Sequence, residues 1–184
     1  MNWKKLSSAY ISNHIYFAAR RDVWQMPNGH IVDPYFVVEL PATVCAMAIT
    51  DDGKVIFAKQ YRPPLDAVLL ELPGGFVDKG EDPDTAIARE LLEETGYVFS
   101  TYYYLGKVAG NPGVLDNYTH LYLAKGGQRS TIQQLDVNEE IELILFSVNE
   151  VKTMLEKNEI PQALHVSCLH YALKLLDKTA TATY

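Results

Sequence analysis

Cysteine is scarce in this chain, two in 184 residues, and the wide separation of Cys45 and Cys168 excludes a disulfide scaffold and offers no close pair for a zinc or redox centre. Cys45 falls in a run that reads as a buried strand and Cys168 in one that reads as a helix, so both are expected to pack in a core. Positive charge is also short. With 16 Lys and Arg against 23 Asp and Glu, the formal charge is −7, which argues against the broad basic surface of a nonspecific nucleic-acid binder. No apolar run approaches the ~18 residues of a membrane span, and the opening residues Met1 to Ser8 lack the apolar core of a secretory signal. The expectation is a cytoplasmic protein with neither nucleic acid nor membrane as partner. A small anionic substrate would then need local positive charge or a metal.

What is present is ordinary globular material: 48% apolar and 21% charged residues, enough for one core of normal size. His14-Ile15-Tyr16-Phe17 and Tyr35 to Leu40 are rich in aromatic and β-branched residues and read as strands, with a turn at Pro27-Asn28-Gly29 between them. Ala42 to Thr50 and Lys54 to Gln60 read as a hairpin around Asp51-Asp52-Gly53. Asp82 offers an N-cap, Pro83 the first helical position and Gly96 a stop, which marks a helix of about thirteen residues. Strands are expected over 98–108, 118–124 and 141–146, and helices over 149–157 and 161–176. This order suggests a mixed sheet covered on both faces by helices.

On the marked helix, Glu90, Glu93 and Glu94 stand at i, i+3 and i+4, so three carboxylates share one face. By themselves they fit either a solvated acidic face or a site for a hard divalent cation. The glycine pair in Leu72-Pro73-Gly74-Gly75-Phe76 favours the cation, because it lets the backbone bend close to a ligand and aim a carbonyl at it. Arg89 can pair with Glu93 one turn on, or with Glu81 in the preceding loop, and so orient carboxylates around a metal. The five histidines, at 14, 30, 120, 165 and 170, show no ligand spacing and receive no role.

From Gly75 to Tyr97 the chain reads Gly75, five free positions, Glu81, seven free positions, Arg89-Glu90-Leu91, one free position, Glu93-Glu94, one free position and Gly96. This closely resembles the Nudix box, departing only at Tyr97, where the family usually carries an aliphatic residue. The resemblance implies an α+β fold, an α/β/α sandwich with a mixed β-sheet. It also implies hydrolysis of a nucleoside diphosphate linked to another group, with Mg2+ as cofactor and Mn2+ able to substitute. Carried over by position, the Gly74 carbonyl, Glu90 and Glu94 are metal ligands, Glu93 is a ligand or part of the water network, and Arg89, Glu81 and Gly75 support the site.

Outside the box, Gln60-Tyr61-Arg62-Pro63-Pro64, Leu70 to Gly75, and Pro112, fifteen positions beyond Tyr97, are similar to the ADP-ribose and ADP-sugar pyrophosphatase branch. That likeness implies a nucleotide-sugar substrate, Arg62 as a phosphate clamp and Pro112 near the substrate. It further implies an N-terminal antiparallel strand arm, residues 1–41, ahead of a hydrolase domain over 42–184. Through the arm the branch forms a homodimer in which Trp3 and Tyr16 would stack on adenine and Arg21 would reach the phosphates. The same likeness matches Glu139 to the catalytic base, with Glu140 as the alternative, although Asn138 to Leu143 also fits a strand with an acidic outer face. Rival functions are a Nudix hydrolase for GDP-sugars, dinucleoside polyphosphates or coenzyme derivatives, and a domain that senses ADP-ribose without cutting it.

Overall fold

The computed structural model describes residues 1–14 and 17–181. The chain divides into two compact units, Met1–Ala42 with Ala109–Tyr118, and Thr43–Val108 with Thr119–Tyr184.

The first unit holds three antiparallel strands in the order β1 (Lys4–His14), β2 (Phe17–Gln25) and β3 (Ile31–Glu39). The turn at Pro27-Asn28-Gly29 forms as expected, with the Gly29 N–H donating to the Met26 carbonyl at 2.9 Å. The strand expected across residues 14–17 falls partly on Ile15 and Tyr16, which lie outside the described residues. β1 has no buried position, yet it forms within the 1–41 stretch expected as an antiparallel strand arm. Polar contacts tie this unit together. Asp22, fully buried, accepts from Ser8 Oγ at 2.5 Å and from Arg20 Nε at 3.2 Å, while Arg20 also pairs with Glu39 and with Asp116 at 3.3 Å.

The second unit is built on a seven-stranded mixed sheet. Its strands are β4 (Thr43–Thr50), β5 (Lys54–Arg62), β6 (Ala67–Glu71), β7 (Tyr97–Val98), β8 (Thr101–Val108), β9 (Thr119–Arg129) and β10 (Ile141–Ser147). The path is β10-β5-β4-β9-β7, with β6 added to β5 and β8 to β9; β4 and β9 run parallel and the other pairs antiparallel. Three helices complete it: α1 (Pro83–Thr95), α2 (Val148–Glu156) and α3 (Ala163–Thr181).

Strict alternation sorts the central strands onto two cores. Val44, Ala46, Ala48, Tyr122 and Ala124 pack with Ala86, Ile87 and Leu91 of α1 on one face. Cys45, Met47, Ile49, Leu121 and Leu123 pack with Val151 of α2 and Cys168, Leu169 and Ala172 of α3 on the other. Both cysteines are free and buried, which matches the packing role expected of them. Among the described residues no helix is long and apolar enough to cross a membrane.

Two elements differ from the sequence reading. The stretch expected as one strand from Val98 breaks after β7, because Phe99 turns into the core beside Gly127, where a Cβ would crowd its ring at 2.5 Å. β6 was not anticipated; a 3-10 turn at Pro63–Leu65 folds Ala67–Glu71 back onto β5, with Ala58 opposite Glu71.

Helix α1 forms where its punctuation places it. Asp82 accepts from the N–H groups of Asp84 and Thr85 at 3.1 and 3.0 Å, and Gly96, at φ 73°, closes the end by donating to Leu92 O at 2.8 Å. Leu91 is fully buried. Urea unfolding should therefore show Leu91→Ala losing about 2 to 5 kcal/mol, and Asp82→Ala, which removes only the cap, losing about 1 kcal/mol.

Candidate active site

The site grows from the junction of the loop after β6 with helix α1. Pro73 and Gly75 are pinned to β4, their carbonyls accepting from Ala46 and Val44 N–H at 3.1 and 2.9 Å. Gly74 between them sits at φ 147°, and a Cβ there would overlap the Val44 carbonyl oxygen. Its N–H donates to Glu94 Oε2 at 2.8 Å, so loop and helix meet through a carboxylate. A Cβ on Gly75 would lie 2.6 Å from the Glu90 carboxylate and would force that side chain to shift.

Arg89 gathers the remaining carboxylates. Its Nε and Nη2 grip the two oxygens of Glu81 at 3.0 and 2.9 Å, its Nη1 donates to Glu90 and Glu93 at 2.8 and 3.0 Å, and Nη2 also reaches the Phe76 carbonyl at 2.9 Å. Glu81 in turn accepts from Asp78 N–H at 3.0 Å, which holds the loop around it. The hydrogen bond from Arg89, with that backbone bond second, keeps the Glu81 carboxyl below its usual range. Both sequence-expected partners of Arg89, Glu81 and Glu93, are engaged at once.

Glu94 and Glu90 are held at electrostatic cost. Burial pushes Glu94 from 4.5 up to about 8; the Gly74 N–H opposes this, while the charges of Glu90 and Glu139 add to it. Burial also raises Glu90, and the charges of Glu93 and Glu139 add to that rise against the pull of Arg89. Among the described residues no three acidic, His or Cys side chains already converge as a cation cage. The donor set nevertheless suits a hard divalent ion: oxygen ligands, crowded like charges, and a buried carboxylate, Glu94, whose pKa is raised by burial.

Glu139, half-buried, lies near enough for its charge to act on both glutamates, whereas Glu140 is exposed. Arg62, at the end of β5, donates through Nε and Nη2 to a single oxygen of buried Glu71 at 2.9 and 2.5 Å. The other expected residues belong to the first unit. Trp3 stands edge-on to Tyr35 with centroids 6.4 Å apart, and Arg21 pairs with Asp33 at 2.7 Å. Pro112 lines a cavity of about 220 Å³ with Arg20, Tyr35 and Val37. Tyr16 lies outside the described residues.

Two residues escape the sequence reading. His165 of α3 is buried, and its Nδ1 accepts the Leu72 N–H at 3.1 Å, anchoring the start of the glycine loop from the opposite face of the sheet. Burial and then the charge of Arg62 push this imidazole down to about 3, so it stays neutral. Gln133 donates to the Glu94 carbonyl at 2.7 Å. No local signal announces either one, since each acts on backbone remote in sequence.

The raised Glu94 carboxyl makes metal-free stability depend on pH with a definite sign. A folded value of about 8 against 4.5 means that the folded chain binds the extra proton, so this contribution is full below pH 4.5 and is lost as pH rises through 8. Urea midpoints measured in chelator across that window should fall for the wild type and flatten for Glu94→Gln; equal slopes would contradict the assignment.

Comparison with known proteins agrees with this geometry. The NUDIX domain model matches residues 39–166, and the model of the nucleoside diphosphate sugar hydrolase N-terminal domain matches residues 3–38. The chain is 34% identical to the methanol dehydrogenase activator of Bacillus methanolicus and 31% identical to the ADP-ribose pyrophosphatase of Bacillus subtilis, each over 80% of both chains. It is 34% identical to the ADP-sugar pyrophosphatase of Mus musculus over 70% of this chain and 61% of that one. A crystal structure of an ADP compounds hydrolase superposes with a TM-score of 0.86 at 20% identity, over 97% of this chain and 96% of the other, and so shares its fold. With the glycine loop, the Arg89 clasp and the α1 carboxylates in the arrangement described, and with the domain model covering most of its length, the chain belongs to the Nudix hydrolase family.

Proposed function

We propose that the protein hydrolyses the diphosphate bridge of ADP-ribose or a closely related ADP-sugar, releasing AMP and the sugar phosphate, with Mg2+ as cofactor and Mn2+ as a substitute. The single observation that carries the reading is the clustering of Glu90, Glu93 and Glu94 against Gly74 and Gly75, around an arginine that bonds Glu90 and Glu93 and leaves buried Glu94 raised. The names of the Bacillus subtilis and mouse relatives support the substrate class. Glu90, Glu94, the Gly74 carbonyl and Glu93 would hold the metal. When bound, it would neutralise the diphosphate and lower the pKa of water.

The chain's own residues supply the rest. Gly74 N–H orients Glu94, and Arg89 orients Glu90 and Glu93. Glu139 takes the proton from a water whose oxygen bonds to one phosphorus as the bridging P–O bond breaks toward the other phosphate. Glu139 is favoured over Glu140 by its half-buried place near the cluster. Arg62 spends Nε and Nη2 on Glu71, which orients Nη1 as a donor to a substrate phosphate. Trp3, Tyr16, Arg21 and Pro112 serve the nucleotide in a homodimer formed through the N-terminal strands. Exposed Tyr10, Ile11 and Phe36 on those strands, at 55, 63 and 54% exposure, leave apolar side chains open to that contact.

Purified protein with Mg2+ should release AMP from ADP-ribose, and hydrolysis in oxygen-18 water should show which product receives the label. Glu94→Gln and Glu139→Gln should each lower kcat by about 10² or more. No AMP from any nucleoside diphosphate sugar, with Glu94→Gln indistinguishable from wild type, would reject the reading. Sedimentation should give a dimer that Ile11→Glu with Phe36→Glu converts to monomer; a wild-type monomer at micromolar concentration would contradict the arm's role.

A further inference from the structure

The end of α1 is satisfied in an unusual way. A helix leaves its last four carbonyls without helical partners, and here the segment leading into β10 reaches three of the carbonyls at this end. Glu93 O accepts the Gln134 N–H at 2.8 Å, Glu94 O accepts Gln133 Nε2 at 2.7 Å, and Gly96 O accepts the N–H groups of Ser130 and Thr131 at 2.8 and 3.1 Å. The approach is close enough that a Cβ on Gly96 would overlap the Thr131 carbonyl oxygen.

Gln133 does more than cap. The same Nε2 donates to the Ile141 carbonyl at 3.2 Å, and a primary amide has two hydrogens to share between two acceptors. One acceptor belongs to Glu94 on the carboxylate helix. The other opens β10, two residues after Glu139. The intervening stretch turns on itself, with Asp136 N–H donating to Glu139 Oε2 at 3.0 Å and Glu139 N–H to Asp136 O at 2.9 Å. A single side chain thus joins both ends of the segment that carries Glu139 to the backbone of Glu94.

We propose that Gln133 is a positioning residue for hydrolysis: by bridging the Glu94 and Ile141 carbonyls, it fixes Glu139 at its working distance from Glu90 and Glu94. This rests on the reading of Glu139 as the base. Gln133 touches no reacting atom, and its whole effect on rate passes through Glu139.

A double-mutant cycle tests this. Gln133→Met keeps the length of the side chain and removes both donors. Gln133→Asn keeps an amide one methylene too short to span both carbonyls, and serves if the Met variant fails to fold. Each should lower kcat by about 10- to 100-fold with KM unchanged, the size expected when a catalytic group is displaced by about 1 Å. In a Glu139→Gln background the same substitution should change kcat by less than about twofold. Limited proteolysis of the metal-loaded protein should cut faster between residues 134 and 140 in the variant. If Glu139→Gln reduces kcat and the two factors simply multiply, or if KM carries the loss, the role of Gln133 is overturned while that of Glu139 stands. If Glu139→Gln retains wild-type kcat, both assignments fall together.

Discussion

Everything at this site depends on how four carboxylates are kept together in one loop and two turns of helix. Glu81, Glu90 and Glu93 are clasped by the Arg89 guanidinium, which spreads its donors over three acids and the Phe76 carbonyl. Those hydrogen bonds, that to Glu81 foremost, hold the guanidinium more firmly charged than usual even against partial burial. A lysine would offer a point charge without the planar fork that meets several oxygens at once. Glu94 stands outside the clasp, buried and answered by the Gly74 N–H and, more weakly, by the charge of Arg62. Burial still raises both Glu90 and Glu94, so the clasp relieves the crowded acids only in part.

The fold supports the cluster from both faces of the sheet. On one side α1 buries Ala86, Ile87 and Leu91 against β4 and β9, and Glu94 is carried into the same buried stripe. On the other side α3 sends His165 to Leu72, so the glycine loop is gripped at Leu72 by one helix layer and at Gly74 by the other. A neutral imbalance-free acceptor is needed there, because a protonated Nδ1 could not take the Leu72 N–H. Gly74 is required by its φ and by contact with the Val44 carbonyl, whereas a Cβ at Gly75 would displace the Glu90 carboxylate.

Much of this was legible because it is local. The span of α1 follows from Asp82, Pro83 and Gly96, each acting within one turn, and the acidic face follows from helical periodicity. The split of β4 between two cores follows from alternation alone. β6 was illegible because its pairing with β5 depends on how Pro63–Leu65 turns the chain.

The sequence by itself determined the carboxylate helix, the bare glycines before it and the arginine that serves them, since spacing along a helix converts directly into distance. Only the tertiary structure decided that Gln133 spans two carbonyls, that His165 reaches Leu72 and that Glu139 lies within electrostatic range of Glu94. The contacts of Gln133 with Glu94 and of His165 with Leu72 join residues 39 and 93 positions apart, through backbone atoms that every residue possesses. No side-chain pattern can encode a partner of that kind until the sheet order has brought the segments together.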